Sequence, residues 1–249
     1  MDRLTLRSRT TLVASLLVAA LVAWIVSVQR MRGMDAGPGT DLGALGWFVG
    51  IWVTMMAAMM LPSAMPTTLM FARVRGSAST AAFVVGYLLA WTALGLAAYA
   101  IYRGVRDAGS SFLAWDDHGP LVAGGALVAA GLYQLTSLKT ACLRHCRSPL
   151  HVLLHGRRGQ LGAVWMGVEH GGYCVGCCAG LMLALFALGV MSLFWMAVVA
   201  VAILVEKVLP GGERFARLLA VVLVALGIWV AVSPASVPGL KQPAQMSMR

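Results

Sequence analysis

The sequence is poor in charged residues, and acidic residues are the scarcest of them. Only 11% of its 249 residues are charged, and nine are Asp or Glu. Soluble domains carry about 25% charged residues, so this composition excludes a soluble domain with a water-filled active site. The net charge of +10 would suggest a nucleic-acid partner in a soluble protein, but in so apolar a chain we expect no nucleic-acid binding.

The few charges leave long stretches without any. There are 31 uncharged residues between Asp41 and Arg73, and 35 residues separate His170 from Glu206. A helix needs about 20 apolar residues to cross a bilayer, and the runs lack the alternation of barrel strands. The sequence therefore predicts an all-α, polytopic transmembrane helical bundle of about seven helices (six to seven), with the lipid bilayer as its surroundings.

Seven segments qualify as spans: residues 11–28, 43–61, 80–102, 120–138, 162–188, 192–205 and 218–232. The sixth is short, and the fifth is long enough to be tilted or broken. No small-residue cleavage site follows the first, which favours a retained helix over a signal peptide. There is no fixed-period repeat, so we predict one transmembrane domain over residues 1–232 and a flexible tail over residues 233–249.

Basic residues are distributed unequally between the two sides of these spans. Thirteen lie in the N-terminus and in the second–third, fourth–fifth and sixth–seventh loops, against four on the opposite side. Cytoplasmic loops carry the excess of Lys and Arg. This predicts a bacterial inner (plasma) membrane protein with a cytoplasmic N-terminus and, with seven spans, a C-terminus outside.

Methionines are concentrated in the second span. Met55 and Met59 are four residues apart, as are Met56 and Met60, so on a helix they form two adjacent stripes. Pro62 and Pro66 would then end or kink the helix. Thioethers are soft ligands that suit Cu(I), although methionine also fills gaps in apolar cores.

Cysteine and histidine occur together in two places. Cys142, His145 and Cys146 follow the fourth span beside basic residues that favour the thiolate, although so basic a loop also suits anionic headgroups. His170, Cys174, Cys177 and Cys178 would form one donor stripe on a helix, at positions i, i+4, i+7 and i+8. The glycines among them would allow a close helix approach or unwinding.

The five cysteines are an odd number, so a complete set of internal disulfides is impossible, and a cytoplasmic location keeps thiols reduced. The predicted metal ligands are His170, Cys174, Cys177, Cys178, Cys142, Cys146, Met55, Met56, Met59 and Met60. Zinc suits Cys and His equally well, but the methionines favour Cu(I). Glu206 and Lys207 end the sixth span and, as sequence neighbours, should have different partners in a structural role.

These motifs resemble a family of predicted metal-binding integral membrane proteins long classed as a domain of unknown function. Residues 131–149 and 170–196 are similar to its two signatures, and the resemblance covers residues 47–212, with departures at Ser137, Ala179 and Ser192. It implies a polytopic metal-binding protein linked to copper supply for polyphenol oxidase or tyrosinase.

The leading hypothesis is a membrane protein that binds Cu(I) and delivers or transports it to a copper-dependent enzyme or a metallochaperone. It lacks a phosphate-binding loop, which argues against an ATP-driven pump, and a carrier is favoured over an enzyme. The alternatives are a membrane thiol–disulfide oxidoreductase using Cys174 and Cys177, and a metal-independent membrane scaffold for assembly of a partner.

Overall fold

The computed structural model describes residues 6–32, 42–107, 119–148, 159–190 and 192–234. Within them the chain forms helices and no strand, which confirms the all-α prediction. Residues 235–249, most of the predicted tail, lie outside the described part. The helices are α1 (Leu6–Met31), α2 (Leu45–Arg75), α3 (Ser77–Asp107), α4 (Gly119–Tyr133), α5 (Ser137–Arg147), α6 (Gly159–Leu188), α7 (Leu193–Val208) and α8 (Gly212–Val232).

Five of these helices, α1, α2, α3, α6 and α8, are long and apolar enough to cross a membrane. The pair α4 and α5 adds a sixth span if it counts as one, although its two parts are bent by 64°. Helix α7 has 16 residues and is about 24 Å long, against a hydrocarbon core of about 30 Å. The described helices thus give five or six candidate spans against the six to seven predicted, because the fourth predicted span is broken and the sixth is short.

Helix α2 does not end at its prolines. It continues through Pro62 and Pro66 to Arg75, 14 residues beyond the predicted span. A proline removes one backbone hydrogen bond, but neighbouring helices in a membrane bundle can compensate for the freed carbonyl. The methionines therefore lie in the middle of a long helix rather than at its end.

The break between α4 and α5 has a local cause. The side chain of Thr136 accepts a hydrogen bond from the backbone N–H of Lys139 at 3.2 Å, which is the N-cap interaction that starts a helix. Helix α4 therefore ends at Tyr133, and α5 begins as a separate helix at Ser137, at 64° to α4. As a result Cys142 and Cys146 lie on a helix of their own, packed against α6.

Helices α2 and α6 form the interior of the bundle. In each, 61% of the apolar window is buried, against 22–28% in α1, α3 and α8. Helix α6 contacts α3, α4, α5 and α7, while α2 contacts α1, α3 and α7. Residues on α2 and α6 thus have the least access to lipid.

Helix α6 is continuous, so its glycines serve close packing rather than unwinding. A Cβ on Gly167 would overlap the carbonyl oxygen of Phe83 in α3, and one on Gly180 would lie 3.0 Å from the carbonyl oxygen of Ala130 in α4. Small residues permit such approaches in membranes. The contacts fix which side of α6 faces each neighbour.

Candidate metal centre

Three cysteine sulfurs meet at the contact of α5 with α6. Those of Cys146, Cys174 and Cys177 all lie within 4.8 Å of one another, and the sulfurs of Cys146 and Cys177 are 3.6 Å apart. All three residues are buried, and all five cysteines of the chain are free thiols. The group combines one donor from a short helix with two from a membrane span.

Local packing explains why α5 lies so close. Cys174 and Cys177 are three residues apart and share a side of α6, and Gly176 between them makes room for α5. A Cβ on Gly176 would lie only 2.7 Å from the Cys142 sulfur. Tyr133 donates a hydrogen bond to the carbonyl oxygen of Gly176 at 2.6 Å, so the end of α4 also contacts this part of α6.

The other predicted Cys and His ligands lie outside this three-sulfur group. The Cys178 sulfur is 3.6 Å from that of Cys177, so it borders the group, whereas Cys142 is half-buried at the Gly176 contact. The buried ring of His170 packs against α3, with its centroid 5.7 Å from that of Phe83. Among the described residues its Nδ1 atom has no hydrogen-bond partner.

The four methionines predicted as ligands are buried in the same core as the cysteines. Met55, Met56, Met59 and Met60 are each at most 2% exposed, and they belong to one cluster with Cys174, Cys177 and Cys178. Burial removes them from lipid but does not by itself distinguish a ligand from a packing residue.

Two neighbours of Cys174 were not identified as site residues from the sequence. The ammonium Nζ of Lys207 lies 2.8 Å from the Cys174 sulfur and 3.4 Å from the Ser63 hydroxyl oxygen. The Tyr87 hydroxyl is 2.9 Å from the same sulfur. Positive charge beside a cysteine favours the thiolate, the form that binds metal. The available signal was an ionisable residue at the end of an apolar helix, which in a membrane indicates function.

A buried ion pair holds this region together. Lys139 of α5 and Glu206 of α7 are paired at 2.7 Å, with both side chains almost fully buried, and Gln134 donates to the same carboxylate at 3.3 Å. Glu206 and Lys207 thus have different partners, as their adjacency in sequence predicted. The pair fixes α5 against α7 and so positions Cys146.

The donor set fits a soft metal ion. Thiolates are the ligands that select Cu(I) and zinc among common metals, and here three free thiols are buried together beside a cation. The residues present therefore suit a soft metal ion, with copper among the candidates.

Comparison with known proteins agrees with this chemistry. A family model described as PpoB2, copper chaperone, matches residues 49–230, which include α3 to α7 and every cysteine of the chain. No curated protein and no solved structure matches the chain. The family match confirms the predicted resemblance to a copper-supply family, and because it covers well over half of the sequence, the chain belongs to the PpoB2 family of copper chaperones.

Proposed function

We propose that this protein binds Cu(I) within the membrane bundle through Cys146, Cys174 and Cys177 and passes it to a copper-dependent enzyme. The observation that carries the proposal is the contact of these three buried free thiols in a chain of a copper-chaperone family. The recipient would be an enzyme of the polyphenol oxidase class, to which the resemblance of the sequence motifs points.

A positive charge beside the sulfurs would offset part of the negative charge of thiolate-bound Cu(I). Three thiolates with one Cu(I) carry a net charge of −2, and buried charge is costly unless it is compensated. The Lys207 ammonium, 2.8 Å from the Cys174 sulfur, supplies part of that compensation. A site of this charge would hold copper without requiring a fourth anionic ligand.

Metal analysis of the purified protein tests the proposal. The chain is loaded anaerobically with Cu(I) in detergent, freed of excess metal, and analysed for copper per chain. Wild type should retain copper, and the Cys174→Ser/Cys177→Ser variant should lose the tightly bound ion because it removes two of three sulfurs. A Cys142→Ser variant is the matched comparison and should keep that ion, since Cys142 lies outside the three-sulfur group.

Two results would contradict the proposal. Full copper retention by the double variant would mean that these sulfurs are not the site. A wild type that held no metal but cycled a disulfide between Cys174 and Cys177 would instead support a thiol–disulfide oxidoreductase.

A further inference from the structure

A cleft separates α5 from the beginning of α8. The two helices are not among the closely packed pairs of the bundle, and a partly open cavity of about 290 Å³ lies between them. Gln134 and Lys139 line it on the side of α5, and Glu213 and Arg217 line it on the side of α8. The proposed copper function makes no use of this cavity.

The charges around the cavity do not balance. Lys139 is paired with Glu206 at 2.7 Å, and Arg144 is paired with Glu213 at 2.8 Å. The third cation of the lining, Arg217, is exposed, and among the described residues it has no hydrogen-bond or ion-pair partner. Three cations against two carboxylates leave one positive charge in excess.

The deep end of the cavity lacks a hydrogen-bond donor. Gln134 is 3% exposed, and its Nε2 donates to the Glu206 carboxylate at 3.3 Å. Because an ionised carboxylate only accepts hydrogen bonds, this contact fixes the orientation of the amide. The Gln134 Oε1 atom then has no partner among the described residues, and a buried oxygen without a donor is costly.

The remaining wall of the cavity is apolar and faces outward. Leu135 lines the cavity and is 57% exposed, as is Leu132 before it. Just beyond them, a Cβ on Gly131 of α4 would lie 2.9 Å from the Ala220 carbonyl oxygen of α8, so the cavity starts where this close contact of two apolar helices ends. Exposed leucines at this level suit acyl chains, which are equally apolar. An occupant should therefore be anionic at one end and apolar at the other.

We propose that the cleft between α5 and α8 binds the headgroup of an anionic glycerophospholipid. Its phosphodiester pairs with Arg217, a headgroup hydroxyl supplies the donor that Gln134 lacks, and the acyl chains lie against Leu135. Basic pockets between membrane helices bind such headgroups, and a single negative charge balances the excess positive one. This inference is independent of the proposed copper function.

Lipid titration of the purified full chain in a neutral detergent tests the site. Short-chain phosphatidylglycerol is the probe, and native mass spectrometry counts the lipid molecules that remain bound. Wild type should retain a single molecule and should bind it more tightly than phosphatidylcholine of the same chain length. Arg217→Gln removes the excess charge and should weaken phosphatidylglycerol binding by about fivefold.

Arg214→Gln is the matched control. Arg214 is exposed on the same helix, three residues before Arg217, and is not among the residues that line the cavity, so this variant should bind phosphatidylglycerol as wild type does. An equal loss of affinity in the two arginine variants would overturn the proposal, because it would indicate diffuse attraction rather than a site. Equal binding of the two lipids by wild type would overturn it as well.

Thermal unfolding distinguishes a lipid from other anions. A ligand that binds only the folded chain raises its unfolding temperature. Phosphatidylglycerol should raise that of wild type, and inorganic phosphate or polyglutamate at the same concentration should not. Equal stabilisation by phosphate would assign the cleft to a free anion, and equal stabilisation by polyglutamate would assign it to an acidic protein segment. Either result would overturn the lipid site.

Discussion

Lys207 is the residue whose environment most clearly indicates a role beyond packing. Its ammonium contacts the Cys174 sulfur at 2.8 Å near the end of an apolar helix. Hydrogen bonds to charged groups are worth about 1.5–3 kcal/mol, so Lys207→Leu, which removes the charge without adding a sulfur ligand, should weaken Cu(I) binding by roughly tenfold to a hundredfold. Competition with a chromophoric Cu(I) chelator at fixed pH measures the dissociation constant.

Arg214 provides the control for this change. It is an exposed cation in the first turn of α8, so Arg214→Leu alters the net charge by the same amount away from the sulfurs. The dissociation constant of this variant for Cu(I) should equal that of wild type. Equal copper affinities in the Lys207 variant and in wild type would show that the lysine does not stabilise bound copper.

At the scale of single residues, spacing predicted part of the site. Cys174 and Cys177 could be placed together from a three-residue separation on a helix. Cys146, Tyr87 and Lys207 could not be placed beside them, because their positions depend on how α5, α3 and α7 pack around α6. No sequence interval encodes that packing.

At the scale of helices, the glycine contacts of α6 lead to a stability prediction. A Cβ on Gly167 would overlap a backbone carbonyl of α3, whereas one on Gly172 would have nothing within 4 Å. Overpacking a close contact costs about 1–3 kcal/mol, so Gly167→Ala should lower the free energy of unfolding by that amount. Thermal or denaturant unfolding in detergent measures it.

Gly172→Ala is the matched control on the same helix. Alanine is favoured over glycine within a helix by about 0.5–1 kcal/mol, so this variant should be as stable as wild type or slightly more stable. Equal destabilisation by the two substitutions would mean that the α3–α6 contact is looser than the structure shows.

The elements themselves were predictable to different degrees. Long uncharged runs located α1, α3, α6 and α8, because the need to cross hydrocarbon leaves a composition signal over about 20 residues. The break before α5 left no such signal, since a threonine cap rather than a proline or glycine causes it. The continuation of α2 past Pro62 was missed because proline usually ends a helix in water.

For the whole molecule, the basic loops and the thiols lie toward the same end. Arg147 of α5 donates to the carbonyl oxygen of Leu209 after α7 at 2.7 Å, and Arg144 pairs with Glu213 of α8 at 2.8 Å. Thr67, in the last third of α2, contacts the backbone of Cys146 at 3.5 Å. If basic loops mark the cytoplasm, the thiol group lies nearer that face.

Membrane orientation remains a prediction that a reporter can test. Seven crossings from a cytoplasmic N-terminus place a reporter fused after Arg249 outside, and the parity depends on the 16-residue α7. We expect activity of a phosphatase fusion there and none of a cytoplasmic reporter. A fusion at the N-terminus is the control: a cytoplasmic result at both ends would show that either α7 or the bent α4–α5 pair does not cross.

The separation of the sulfurs between two helices has a thermodynamic consequence. An ion held by Cys146, Cys174 and Cys177 would act as a clip between α5 and α6, closing the chain segment that joins them. A ligand that binds only the docked arrangement stabilises it by mass action, and the coupling is reciprocal. A recipient protein that bound the exposed α5 surface around Arg144 and weakened the docking of α5 on α6 would therefore lower the affinity for copper. Copper release would then need no energy from nucleotide hydrolysis.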